Sequence, residues 1–336
     1  MSSLAFDGRI NVYDGVDWFW LPTIFRALAL LRHERPNILL LELWTGTVLH
    51  SYLLLAVLAR LQGARVVIEF HEVLDNTPEV RLPSIRAYVE VLSRLLMRLV
   101  SGFVVHSSVD RRVVEARYRL GGRPSAIIPH GPYAHYHALP GRAPRRDAPA
   151  HCCNLLFFGT IRPYKGLEDL VRAFDAIPES EIDDYWLTVT GEPWEGWTLP
   201  LDLIASSRYR GRITLVDRYL PDDEVGSFFA GADAVVLPYR RSSASGPLHI
   251  AMSCGLPVVT TGVGGLSEAV GHYGGVIQVP PQDPLALRDA LRRARALQGQ
   301  RFRDVRSWDE SAGQYTSLFS TLLGCSAPAR EVRQVA

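Results

Sequence analysis

Short runs of unbroken apolar residues alternate with amphipathic stretches along nearly the whole chain. In the first half the runs are "NILLLEL" (37–43), "RVVIEF" (65–70), "GFVVHS" (102–107) and "SAIIPH" (125–130), and helical spacing fills 48–61, 84–99 and 109–118 between them. The second half restarts the pattern with "NLLFFG" (154–159), "YWLTVTG" (185–191), "RITLVD" (212–217), "DAVVLPY" (233–239), "PVVTTG" (257–262) and "GVIQVP" (275–280). Helices are expected there over 167–177, 222–230, 247–254, 266–271 and 283–297. Strands that are apolar without alternation must be covered on both faces, so the spacing predicts parallel sheets layered with helices. Between the halves, "ALPGRAPRRDAPAH" (138–151) is rich in Pro, Ala and Arg, has no period, and reads as an interdomain linker.

The expected fold class is therefore α/β, with two Rossmann-like doubly wound domains facing a cleft. The N-terminal domain occupies 1–137, the linker 138–151 and the C-terminal domain 152–305; a helix over 306–324 and a disordered tail over 325–336 follow. The N-terminal domain is short for its type. Its opening reads as a loop and a helix (21–33) with no strand and glycine-rich turn ahead, which suggests missing N-terminal structure or a true start upstream of Met1.

Composition narrows the picture. A chain of 336 residues accommodates two domains, and 47% hydrophobic with 21% charged residues is a globular balance. The formal net charge of +1 gives no general attraction to nucleic acid, so any anion binding is local. The four cysteines, Cys152, Cys153, Cys254 and Cys325, have no metal-ligand spacing and suit a reducing, cytoplasmic setting. Asp7, Arg9, Asp14 and Asp17 interrupt the opening, which reads as no secretory signal. The run 48–63 falls short of the roughly 20 residues a bilayer span needs and reads as a buried helix on a sheet. The stretch 86–102 sets Arg86, Arg94 and Arg98 among leucines; it reads as a half-buried surface helix, with peripheral contact at the inner face of a membrane as the alternative.

Two segments carry candidate chemistry. In "FFGTIRPYKG" (157–166) an apolar strand ends at Gly159 and places Arg162 and Lys165 just before a helix start. A helix start is already electropositive, so two cations there are unfavourable unless an anion arrives. In "PYRRSSASGPLHIAMSCGLPVVTTGVGGLSEAV" (238–270), Ser245, Gly246, Pro247 and Leu248 form an N-cap and first helical turn suited to phosphate, and Gly264 and Gly265 follow in a second glycine turn. Gly191 and Glu192 lie at another strand end. In the first half His71 ends a strand between Glu69 and Glu72, and alternation puts Glu69 and His71 on one face. Trp44, Thr45 and Gly46 follow the preceding strand and either line a cleft or form a simple turn. His249, in an apolar helix, is packed or faces a ligand. His106, His130, His135 and His137 lack a spaced third ligand, so no metal site is expected.

These segments resemble the family 4 glycosyltransferases of the GT-B fold. "FFGTIRPYKGLEDLVRAF", "VTGEP", "ADAVVLPYR" and "AMSCGLPVVTTGVGGLSEAV" look like that family's motif blocks, in the family's order, through the whole second half. "SWDESAGQYTSLFSTLL" (307–323) looks like its last helix, which returns to the first domain. The resemblance implies a nucleotide-diphosphate sugar bound by the second domain through Gly159, Arg162, Lys165, Gly191, Glu192, Ser245, Gly246, Pro247, Leu248, Gly264 and Gly265. It also implies a hydroxyl acceptor, lipid-linked or not, in the first domain, transfer with retention, and no metal or other cofactor. Lys165 matches the family lysine, whereas the family arginine follows the glycine directly, where this chain has Thr160; Arg162 is its substitute. His71 would orient a sugar hydroxyl, and Trp44, Thr45, Gly46, Glu69 and Glu72 would line the acceptor cleft. The two glutamates of the family's E-x₇-E motif are Ser242 and Ile250 here. Two rival readings stand beside a transferase: a GT-B scaffold that has lost catalysis and serves as a binding or regulatory partner, and a sugar-nucleotide epimerase.

Overall fold

A computed structural model describes residues 10, 13, 23–71, 83–136, 144–194, 196–242 and 244–325. They divide into two compact units: the described parts of Met1–Val105, Val114–Ala126 and Tyr315–Ala336 form one, His106–Val113 and Ile127–Gln314 the other.

The first unit is built on β1 (Ile38–Leu43), β2 (Arg65–Phe70), β3 (Gly102–Val105) and β4 (Ser125–Ile127), side by side in chain order. β1, β2 and β3 pair in parallel. Helices α1 (Thr23–Glu34), α2 (Leu49–Leu61), α3 (Pro83–Leu99) and α4 (Ser108–Tyr118) alternate with them. After Arg65 every residue of β2 is buried, which is what its unbroken apolar run requires of a central parallel strand. The register sets Glu42 of β1 beside Glu69 of β2. One expectation needs correcting. α2 is not a buried helix: Leu54, Val57 and Leu61 form an exposed stripe while Leu49, Ala56 and Ala59 face inward. Its apolar residues run almost all round, so their spacing did not show which side faces the sheet. α3 buries Leu96 and Met97 and exposes Ile85, Val91 and Leu95 with Arg94 and Arg98, the half-buried surface helix its pattern indicates.

The second unit has a parallel sheet of six strands, β5 (Cys153–Phe158), β6 (Tyr185–Thr190), β7 (Ile213–Val216), β8 (Ala234–Leu237), β9 (Val258–Thr261) and β10 (Val276–Val279), in the order β10-β9-β8-β5-β6-β7. Helices α5 (Leu167–Asp175), α6 (Leu199–Ser206), α7 (Asp222–Gly231), α8 (Gly246–Ser253), α9 (Gly264–Ala269) and α10 (Pro284–Arg295) cover it, and α11 (Trp308–Leu323) follows. Leu155 and Phe157 of β5 join a core with α5 and α10, while Leu156 points into a second core with Phe228 and Phe229 of α7 and Leu248 of α8. Each fully buried Leu or Phe contributes about 1.5–3 kcal/mol of transfer free energy, which fixes both faces of the strand. α6 escaped the sequence reading because Pro200 and the adjoining "WTLPLDL" look like a turn; Pro200 sits in the first turn of the helix, where its missing N–H costs nothing.

The strand order reverses between β5 and β8. The chain runs outward from β5 to β7 and then starts again at β8 toward β10. Loops leaving neighbouring strands at such a point diverge to opposite faces and leave a crevice at the carboxyl ends. The loops after β5 and β8 are the two segments that carry the candidate chemistry.

Candidate active site

The loop after β5 is shaped by three close approaches that only glycine permits. At Gly159 (φ +114) a Cβ would stand 2.9 Å from the Lys165 Nζ and 3.6 Å from the Pro247 Cγ. At Gly191 (φ +148) a Cβ would lie 2.1 Å from the Gly159 carbonyl oxygen, and at Gly166 (φ +65) 2.1 Å from that of Pro238. The ends of β5, β6 and β8 are thereby drawn together. Ile161 N–H donates to the Glu192 carbonyl at 2.8 Å and Trp194 N–H to the Ile161 carbonyl at 3.0 Å, tying the β5 and β6 loops. Pro163–Lys165 then form a 3₁₀ turn ending on Gly166.

Lys165 is half-buried on this turn, its Nζ 5.6 Å from the centre of the Tyr239 ring. Desolvation, with the Arg162 charge adding to it, pushes its pKa down to about 8. Arg162 lies across the Trp194 ring, with 4.4 Å from guanidinium carbon to ring centre. Neither cation forms an ion pair with a carboxylate among the described residues. The acids nearest in sequence, Glu168 and Asp169, start α5 and are both taken by Arg240, whose NH1 lies 2.9 Å from Glu168 and whose NH2 lies 2.9 Å from Asp169. Arg240 thus neutralises the acids, and the two site cations keep their charge uncompensated. Lys165 is also the only lysine among the 36 lysines and arginines of the chain, a signal the sequence offered and motif reading passed over.

α8 completes the cluster. Ser245 caps it, its Oγ accepting from Leu248 N–H at 3.3 Å. Pro247 has no N–H. The Gly246 N–H makes no hydrogen bond among the described residues and is the open amide of this turn. The second glycine turn serves differently from the expectation. Gly265 N–H donates to the Ser242 carbonyl at 3.1 Å, and a Cβ on Gly264 (φ +48) would meet that same oxygen at 2.1 Å. Gly265 spends its amide on holding the loop and Gly264 makes room for the same carbonyl; α9, six residues long, is too short to add a helix dipole of weight. Glu192 is exposed and takes part through its carbonyl. Ile250 is 3% exposed and packs in the core that holds Leu248 and Phe228.

The first unit gathers its own group. His71 follows β2 with its N–H on the Leu43 carbonyl at 3.1 Å and its ring stacked on Trp44, centroids 4.0 Å apart and planes 7° apart. Its Nε2 lies 3.6 Å from Glu69 and 3.8 Å from Glu42, so Glu69 and His71 do share a face. Glu42 joins them through the β1–β2 register, which sequence spacing alone does not give. Tyr315 donates to Glu69 at 2.7 Å. Burial raises the Glu69 pKa, the Tyr315 hydrogen bond opposes this, and the Glu42 charge adds to it. One donor atom each from Glu42, Glu69 and His71 lie within 4.8 Å of one another, a carboxylate–carboxylate–imidazole set of the type that accepts a divalent ion. Trp44, Thr45 and Gly46 line a cavity of about 20 Å³, room for a single water. Glu72 and His137 lie outside the described residues. His249 is 3% exposed; Arg306 donates to its Nδ1, and burial holds its pKa well below the ordinary value, so it is buried and neutral.

Parts of the chain are similar to known proteins. Residues 152–296 match the family described as glycosyl transferases group 1. A D-inositol 3-phosphate glycosyltransferase of Salinispora tropica is 33% identical over 191 residues, 52% of this chain and 39% of that protein. The O-antigen chain mannosyltransferase B of Escherichia coli is 29% identical over 152 residues, 45% of this chain and 38% of that protein. The chain thus spans about two fifths of the length of these curated relatives. Among solved structures, a sucrose-phosphate synthase from Thermosynechococcus elongatus superposes with a TM-score of 0.66 at 19% identity, covering 91% of this chain and 79% of that one. Anabaena HepE in complex with UDP-glucose superposes with a TM-score of 0.62 at 18% identity, covering 90% and 82%. The fold is therefore GT-B, α/β with two Rossmann-like halves, as the alternating pattern indicated. The stretch 152–296, which holds the paired cations and the capped α8 turn, is thus similar to the group 1 glycosyl transferases.

Proposed function

We propose that this protein is a retaining glycosyltransferase that moves a sugar from a nucleotide-diphosphate donor to a hydroxyl of a glycan, glycolipid or small molecule. The observation that carries the reading is the pair Arg162 and Lys165, without carboxylate partners among the described residues, at the crevice where the strand order reverses. A diphosphate supplies the missing counter-charge. Its oxygens would take charge-assisted hydrogen bonds from both cations and one from the Gly246 N–H, each charged contact worth about 1.5–3 kcal/mol. These donors strengthen as negative charge grows on the leaving diphosphate, which is what accelerates transfer.

In the step itself the bond from the sugar's anomeric carbon to the phosphate oxygen breaks, and a bond from that carbon to the acceptor oxygen forms. The acceptor proton passes to the departing phosphate oxygen, so no side-chain base is required. Lys165, Arg162 and the amide do the work a divalent ion does in metal-dependent transferases, and the reading calls for no metal. His71, held by Trp44 and the two carboxylates, would orient a sugar hydroxyl. A lipid-linked acceptor and peripheral membrane contact through α3 at the cytoplasmic face fit its exposed Ile85, Val91 and Leu95 beside Arg94 and Arg98. Among the described residues no helix is long and apolar enough to cross a membrane.

A catalytically silent scaffold is the second reading, favoured by Ser242 and Ile250 in place of the motif glutamates. Calorimetric titration with UDP, GDP, ADP and their sugar conjugates separates the two. Tight binding of one nucleotide, lost in Lys165→Ala, supports the transferase; no binding by any of them supports the scaffold.

A further inference from the structure

The second unit contains a cavity of about 220 Å³ that neither Arg162 nor Lys165 lines. Its walls are apolar, formed by Ile127, Pro129, Met252, Ala269, Tyr273 and Val305, and the His106 and His130 rings border it, stacked on each other with centroids 4.0 Å apart. The charged side chains at its edge are spoken for. Glu268 accepts from Ser108 N–H and Oγ, both at 2.7 Å, and from Val109 N–H at 3.1 Å. Asp304 and Arg306 pair at 2.6 Å.

His249 is the exception. A guanidinium only donates, so the Arg306 contact makes His249 Nδ1 an acceptor and puts the ring proton on Nε2. That Nε2–H is buried and has no acceptor among the described residues. His272 also lines the cavity but is exposed, so the buried polar contact on offer is the His249 Nε2–H, which suits an uncharged ligand that carries a hydrogen-bond acceptor. The volume exceeds the roughly 150 Å³ of an apolar cavity that takes up benzene.

We propose that this cavity binds a compact, flat, uncharged aromatic molecule through a carbonyl or ring-nitrogen acceptor on the His249 Nε2–H. Ala244 and Gly265 line the same cavity; Ala244 lies in the loop that ends at the Ser245 cap, and Gly265, in α9, holds that loop through its N–H on the Ser242 carbonyl. An occupant therefore abuts the donor loop from behind. It is either an effector that reports on that loop or the aromatic end of an acceptor.

The probe is 7-hydroxycoumarin, titrated by its fluorescence into the full chain at a pH that keeps its hydroxyl protonated, with naphthalene as the shape-matched control lacking an acceptor. Saturable binding of the coumarin, about tenfold or more tighter than naphthalene, is expected. In His249→Phe the preference should vanish. Because that change also strips a partner from Arg306, Ala269→Leu provides a second variant, which fills the cavity and should abolish both ligands while UDP affinity is unchanged. Coumarin binding that survives Ala269→Leu, equal binding of naphthalene to the unaltered chain, or no binding of either overturns the proposal. Adding a nucleotide sugar that binds distinguishes the sources: glycosylation of the coumarin hydroxyl identifies an acceptor, and a shift in UDP affinity without product identifies an effector. The aromatic titration needs no nucleotide, so failure of the transferase reading leaves it intact.

Discussion

Replacing Lys165 by methionine should make the empty protein more stable and the diphosphate site useless. Methionine keeps most of the aliphatic stem and removes the charge. In the folded chain the ammonium titrates near 8 against an ordinary 10.5. At about 1.4 kcal/mol per unit, and allowing for the part of the side chain that meets solvent, the buried charge costs about 2–3 kcal/mol. The sign follows from proton counting. Between about 8 and 10.5 the unfolded chain holds the proton and the folded chain has released it, so stability rises with pH across that window and the penalty is complete below it. Lys165→Met should therefore exceed the unaltered protein in urea-unfolding free energy by about 2–3 kcal/mol at neutral pH, with the difference shrinking above pH 8 and gone near pH 10.5. In the same protein UDP affinity should drop about tenfold to a hundredfold, the worth of one charge-assisted contact. A variant less stable at neutral pH, a difference that ignores pH, or an unchanged UDP affinity would each refute the reasoning.

Gly191→Ala should cost at least about 2 kcal/mol, because the added Cβ runs into the Gly159 carbonyl at a backbone angle alanine resists; thermal denaturation reads it directly. His71→Ala should slow transfer while nucleotide affinity stays nearly unchanged, since its neighbours belong to the other unit; a loss confined to melting temperature would make it a packing residue only. Tyr315→Phe removes the one hydrogen bond that opposes the rise of the Glu69 pKa, so that carboxyl should titrate higher still. A raised carboxylate stabilises the fold below its ordinary pKa, and that contribution disappears as pH climbs through the folded value. Urea midpoints for Tyr315→Phe should accordingly fall with rising pH over a higher range than for the parent; superimposable profiles would show that Tyr315 does not hold Glu69.

All ten strands of the described residues were legible because a two-sided parallel strand must be apolar without interruption, and few other elements look like that in so few residues. Phe157 and Leu156, adjacent in sequence and buried in opposite cores, show the rule at work. The cations were legible for the opposite reason: charge at a helix start is a conflict that stands out. Partnerships that depend on register or on chain ends meeting were not. Glu42 reaches His71 only through β1–β2 pairing, Tyr315 reaches Glu69 across most of the sequence, and Arg240 reveals its purpose only when seen on Glu168 and Asp169. The hydrogen bond from Gly265 to Ser242 was not legible either, because a glycine that frees an amide for a ligand and one that holds a neighbouring carbonyl are spelled alike.

A chain with one lysine offers a lysine-specific protease one bond to cut. That bond, Lys165–Gly166, lies in the 3₁₀ turn between β5 and α5, and its glycine is wedged against Pro238. Cleavage of the native protein therefore clocks how often this turn springs open. The two fragments part between residues 165 and 166, severing β5 from every later strand of its sheet, so a single band shift on a gel becomes a gauge of the donor loop's rigidity.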